Sequence, residues 1–111
     1  MYTVSSYPAK EEELNLNCIK TLQKLYSCPI GYSGHEYSLD PTVYATVLGV
    51  KIIERHITLD HLMWGTDQAA SLEPTGMYLL RNRVKNVESI MGDGIKRLTH
   101  NESIIRKKLK G

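Results

Sequence analysis

Two histidines, His35 in GYSGHE and His56 in ERHITLD, are the side chains of this sequence best suited to chemistry. A neutral imidazole nitrogen can ligate a divalent ion and leave other coordination positions to oxygen atoms of a substrate. Side chains alternate faces along a strand, so Ser33 shares a face with His35, and Glu54 with His56 and Thr58. Two imidazoles facing one pocket could therefore hold a divalent metal. From spacing alone the two histidines match no local metal motif, and a hydrogen-bonded structural histidine is the commoner meaning of each. Ser33 could equally cap the next helix, and Glu54 could pair with Arg55 or Lys51.

The elements that must position these residues follow from pattern. Residues 2–7 read as a strand stopped by Pro8, and Glu11, Glu12 and Glu13 load the first turn of a helix, where negative charge suits the dipole. Leu14, Cys18, Ile19, Leu22, Leu25 and Tyr26 fall on one face of it. A second strand starts at Pro29 and runs into GYSGH. Asp40 before Pro41 predicts a helix start, with Asp40 as its cap and Val43, Tyr44, Val47 and Leu48 as its buried stripe up to Gly49. KIIERHITLD, rich in β-branched residues, is the third strand. After HLMWGTDQAAS, a proline-led helix carries Met77, Leu80, Val84, Val87 and Met91 at steps of three and four, with Gly92 as its C-cap. The order β-α-β-α-β-α with short connections predicts parallel strands, and both histidines then sit late in neighbouring strands, where α/β folds bind ligands.

Composition bounds the rest. With 41% hydrophobic residues and a net charge of +2, the 111 residues are those of an ordinary globular chain, neither disordered nor strongly basic. Cys18 and Cys28 lack CxxC spacing and read as reduced thiols, buried or half-buried as small apolar side chains. The start, MYTVSSYPAKEEE, has no signal-peptide pattern, and no apolar run approaches the ~20 residues of a membrane span, so a cytoplasmic location without membrane contact is expected. Beyond Gly94 the chain turns basic and ends in IIRKKLKG. No aromatic residues are interleaved there as a base-stacking surface requires, so a solvated helix or linker is expected rather than a nucleic-acid contact.

SSYPAKEEELNLN, CPIGYSGHE, ERHITLD and WGTDQAASLEP, in this order, resemble the C-terminal part of the catalytic barrel of the N-acetylneuraminate (sialic acid) synthase family. The resemblance runs from Tyr2 to about Leu109 and rests on four separate motifs. It implies an α/β fold that is a partial (β/α)8 barrel: three consecutive βα units with parallel strands, the sixth to the eighth, in residues 1–94. A helical or linker tail in residues 95–111 would lead towards an antifreeze-like domain. It also implies an enzyme that condenses phosphoenolpyruvate with N-acetylmannosamine or a related amino sugar, giving a nonulosonic acid and phosphate. On this resemblance His35 and His56 hold a divalent metal, Mn2+ with Mg2+ or Co2+ as alternatives. Ser33 and Ser5 contact phosphoenolpyruvate, Tyr7 and Asp67 contact the amino sugar, and Glu54 supports the metal as the catalytic carboxylate. Partners implied are these two small molecules and, for assembly, a homo-oligomer, a dimer in the full-length family, or a complementing barrel fragment.

The sequence also departs from the family. Gly34 stands where many members carry an aspartate, so a contact made through that carboxylate is expected to be missing, and Ser5 stands where an asparagine helps to hold phosphoenolpyruvate. A (β/α)8 barrel takes roughly 250 residues, and three parallel strands leave two edges and half of the interior open. This chain is therefore not expected to turn over substrate alone. The alternative function is a non-catalytic binding or assembly module that keeps the βα scaffold. The motifs do not choose among neuraminic, legionaminic and pseudaminic acid chemistry.

Overall fold

The computed structural model describes residues 1–60 and 70–110 of the chain. Three parallel strands, β1 (Tyr2–Thr3), β2 (Gly31–Gly34) and β3 (Ile52–Arg55), form a sheet in sequence order. Helices α1 (Asn17–Leu25) and α2 (Asp40–Val47) make the two crossovers, and α3 (Pro74–Met91) and α4 (His100–Lys110) follow. The expected alternation of strands and helices is therefore observed. Every residue of β2 is buried, as the middle strand of a parallel sheet should be.

Register assigns the two faces of the sheet. Thr3, Ser33 and Glu54 lie in one row across the strands, and Tyr2, Tyr32 and Ile53 in the neighbouring row. The second row joins the core, where Tyr32 packs with Ile19 of α1, Ala45 of α2 and Val50, flanked by Tyr2, Leu16, Ile30, Leu48 and Ile53. Burial of these apolar side chains, at roughly 1.5–3 kcal/mol for each large one, is what holds sheet and helices together. The first row is on the face that the helices leave uncovered: Ile52 is 55% exposed there, and Glu54 is exposed as well.

Local chemistry moves several boundaries. The first strand stops at Thr3 instead of reaching residue 7. The three glutamates form a separate 3-10 turn (Glu11–Glu13), because Asn15 takes a φ of +44°, a left-handed value that asparagine tolerates and a helix does not. Leu14 is buried, whereas Leu25 and Tyr26, expected on the same buried stripe, are exposed. Asp40 is the first residue of α2 and makes no cap bond, its carboxylate accepting from Arg83 of α3 at 3.3 Å instead. The buried residues of α2 are Pro41, Thr42 and Ala45. Tyr44 and Val47 of the expected stripe instead line a groove of about 500 Å³ against Val87, Ile90 and Met91. Leu80 is the buried residue of α3, and Gly92, at a φ of +60°, ends that helix as the C-cap.

The basic tail is a helix. Thr99 Oγ1 accepts the Glu102 N–H at 3.2 Å while the Glu102 carboxylate accepts the Thr99 N–H at 3.5 Å, a reciprocal box that starts α4. No residue of α4 is buried. Cys18 and Cys28 are both free, and Cys28 is exposed rather than half-buried. No helix among the described residues is long and apolar enough to cross a membrane.

Candidate functional site

At the carboxyl ends of β2 and β3 the chain brings three of the expected residues into contact. The rings of His35 and His56 have centroids 5.6 Å apart and meet edge to face at 71°. Tyr7 lies against both, 4.8 Å from His35 and 5.0 Å from His56. Its hydroxyl reaches Ser71 Oγ at 3.3 Å, which ties residue 7 to the segment entering α3.

His35 is anchored twice. Its Nδ1 lies 2.8 Å from the Val4 carbonyl oxygen, and its own carbonyl accepts the Ala9 N–H at 2.9 Å. A carbonyl can only accept, so Nδ1 carries a proton, and in the neutral imidazole the lone pair is then on Nε2. That tautomer is the one in which a metal-ligating histidine donates its second nitrogen to a backbone carbonyl. Donor type and tautomer therefore fit a divalent ion. Among the described residues no group of three or more His, Cys, Asp or Glu side chains gathers to hold one, so the pair would need oxygen ligands from elsewhere.

One layer towards the amino ends of the strands, Ser33 Oγ donates to Glu54 Oε1 at 3.1 Å. Ser33 thus caps no helix, and Glu54 does not take Arg55. Ser5 is exposed, two residues beyond Thr3 and outside β1, and Asp67 lies outside the described residues. Tyr7, His35 and His56 accordingly form one cluster and Ser33 with Glu54 a second, both on the open side of the sheet.

The opposite side holds what the motifs did not reveal. Glu36 is fully buried and accepts from Tyr32 Oη at 2.9 Å, Thr42 Oγ1 at 2.8 Å and Arg55 Nη1 at 3.3 Å. Burial, and then the negative Glu36 beside it, push the Tyr32 phenol far above its usual range. Arg55 also donates to the carbonyls of Glu36 at 2.7 Å, Ser38 at 3.1 Å and Ala70 at 3.4 Å. Gly34 makes room for this pair: a Cβ at that position would stand 2.8 Å from both Arg55 Cδ and Glu36 Oε2. The Glu36 carboxylate thus fills the space beside Gly34, its Oε1 and Oε2 at 2.9 and 2.8 Å from where a Cβ would stand. The signal for it was in the register, since strand alternation sends Arg55 to the helix-covered face, where a charge needs a partner.

The carboxyl ends of parallel strands, where these imidazoles converge, are the place where βα folds bind their ligands. The sequence model of the NeuB family matches residues 1–96, and the chain belongs to that family. Human N-acetylneuraminate-9-phosphate synthase is 44% identical over 106 residues, which cover 95% of this chain and 30% of the human protein. The N,N'-diacetyllegionaminic acid synthase of Campylobacter jejuni is 35% identical over 113 residues, covering 98% of this chain and 34% of that protein. Among solved structures, the N-acetylneuraminic acid synthetase of Leptospira borgpetersenii superposes with a TM-score of 0.79 at 33% identity, covering 97% of this chain and 38% of that one. The chain spans about a third of the length of the relatives it matches.

Proposed function

We propose that residues 1–94 are the sixth to eighth βα units of a synthase barrel that condenses phosphoenolpyruvate with an N-acylated amino sugar, giving a nonulosonic acid and phosphate. Residues 95–111 would be the linker beyond it. The observation that carries the reading is the imidazole pair under Tyr7, with His35 Nδ1 committed to Val4 and Nε2 left to bind. His35 and His56 would hold a divalent ion, with Mn2+ the first choice and Mg2+ or Co2+ alternatives. When bound, it supplies a Lewis acid that polarises the sugar carbonyl.

The chain's own residues do the remaining work. Tyr7 covers both imidazoles and presents its hydroxyl beside Ser71, a polar rim suited to a sugar hydroxyl or acyl group. Asp67 and Ser5 are assigned to the sugar and to phosphoenolpyruvate by the family motifs. Ser33 would turn its hydroxyl from Glu54 to the phosphate, and Glu54, released from that bond, would accept a hydrogen bond from the attacking water. Holding both substrates at one site turns their encounter into a positioned one. The partners are these two small molecules and a second copy of the chain or a complementing barrel segment, in the cytoplasm.

Loss of the free Mn2+ signal in electron paramagnetic resonance tests the assignment. One ion per chain is expected, with uptake abolished by either His35→Ala or His56→Ala; uptake indifferent to both substitutions contradicts it.

A further inference from the structure

We propose that the buried Glu36–Arg55 ion pair is the positioning element that sets the distance and tilt between His35 and His56. Glu36 directly follows His35, and Arg55 directly precedes His56. Gly34 and Arg55 are register partners, so the pair links the two strand ends just where each histidine leaves the sheet. Both side chains are almost fully buried, at 0% exposure for Glu36 and 3% for Arg55.

Alternation puts this pair on the helix-covered face and the imidazoles on the open face, so neither charge reaches a ligand held by the histidines. The pair acts through backbone. Arg55 grips the carbonyls of Glu36, Ser38 and Ala70, three points on the two loops that bound the site. Thr42 Oγ1 donates to Glu36 and accepts from Arg55, which fixes the start of α2 to the same hub. The segment beyond Ala70 then bonds back to β3, with Leu72 N–H on the His56 carbonyl and Thr58 N–H on the Leu72 carbonyl, both at 2.8 Å. Ser71, between them, meets Tyr7. One buried hub therefore holds all three rings of the cluster.

The test is nuclear magnetic resonance on the 111-residue chain, reading the nuclear Overhauser effects among the His35, His56 and Tyr7 rings. Glu36→Gln/Arg55→Met removes both charges together and leaves neither one buried alone, and Thr42→Val deletes one arm of the hub without a charge change. The stacked Tyr2–Tyr32 contact, with centroids 6.3 Å apart, reports on the intact sheet. With that contact retained, the double variant is expected to lose the His35–His56 effect several-fold, and Thr42→Val to weaken it in the same direction. Mn2+ affinity is expected to fall about 10- to 100-fold in the double variant, as for other partners that orient ligating histidines. Ring effects of wild-type intensity in both folded variants overturn the proposal. The affinity arm rests on the histidines being ligands: a wild-type chain that takes up no Mn2+ contradicts that assignment, while the ring effects still decide the role of the ion pair.

Discussion

Ser33 and Glu54 face each other across β2 and β3 as register partners, with the serine hydroxyl donating to the carboxylate at 3.1 Å. The pair sits one layer below the two imidazoles on the same face of the sheet. A serine hydroxyl held by a carboxylate is ready to be claimed by a more strongly charged acceptor, but a phosphate must displace that carboxylate first. Because Glu54 is exposed, Ser33→Ala is expected to change stability by no more than about 1 kcal/mol in urea unfolding. In a barrel carrying this segment, the same substitution should raise KM for phosphoenolpyruvate more than it lowers kcat.

The Glu36–Arg55 pair should behave as a buried unit. Removing one partner leaves an uncompensated buried charge, and Glu36→Ala or Arg55→Met alone is expected to cost about 3–5 kcal/mol. Removing both should cost well under the sum of the two, giving a coupling energy on the order of 1–3 kcal/mol in a double-mutant cycle read by denaturant unfolding.

Two glycines should respond to alanine with opposite sign. At residue 34 a Cβ meets Arg55 Cδ and Glu36 Oε2 at 2.8 Å, so Gly34→Ala should destabilise by about 1–3 kcal/mol through overpacking. At Gly76, inside α3, the nearest atom to an added Cβ is Leu72 Cδ2 at 3.7 Å, an ordinary contact. Gly76→Ala should therefore stabilise by about 0.5–1 kcal/mol, as helix propensity dictates. Thermal midpoints of the two variants check both signs.

Alkaline pH should weaken the fold through Tyr32. Its folded-state phenol stays protonated far above the usual value because it is buried against Glu36. The unfolded phenol loses its proton near pH 10, so above that pH the folded chain binds more protons than the unfolded one, and stability falls as pH rises. Below about pH 10 the residue contributes no slope. Tyr32→Phe should flatten the decline above pH 10 in unfolding curves recorded across the range.

Much of this architecture is legible in the sequence because it depends on local signals. Pro41 and Pro74 mark the starts of α2 and α3, Gly92 ends α3, and the β-branched run at residues 52–53 marks β3. Strand parity placed Ser33 with His35 and Glu54 with His56, and the Ser33–Glu54 row and the imidazole cluster both follow from it. What escaped was set by tertiary context. Asn15 breaks the first helical run through a single left-handed residue, and Asp40 gives up its cap for Arg83 on another helix. Glu36 was missed because its partner Arg55 is distant in sequence and becomes its neighbour only when β2 and β3 pair. The His35 tautomer rests on a Val4 carbonyl that no side-chain motif encodes.

The central claim is that this segment supplies the metal-holding strands of a phosphoenolpyruvate-dependent synthase. The direct measurement is phosphate release by human N-acetylneuraminate-9-phosphate synthase in which the 106 matching residues are replaced by those of this chain, assayed with phosphoenolpyruvate, the amino sugar and Mn2+. The account predicts turnover that either His35→Ala or His56→Ala reduces at least a hundredfold. A folded chimera that releases no phosphate, or one whose turnover survives loss of both histidines, would contradict it.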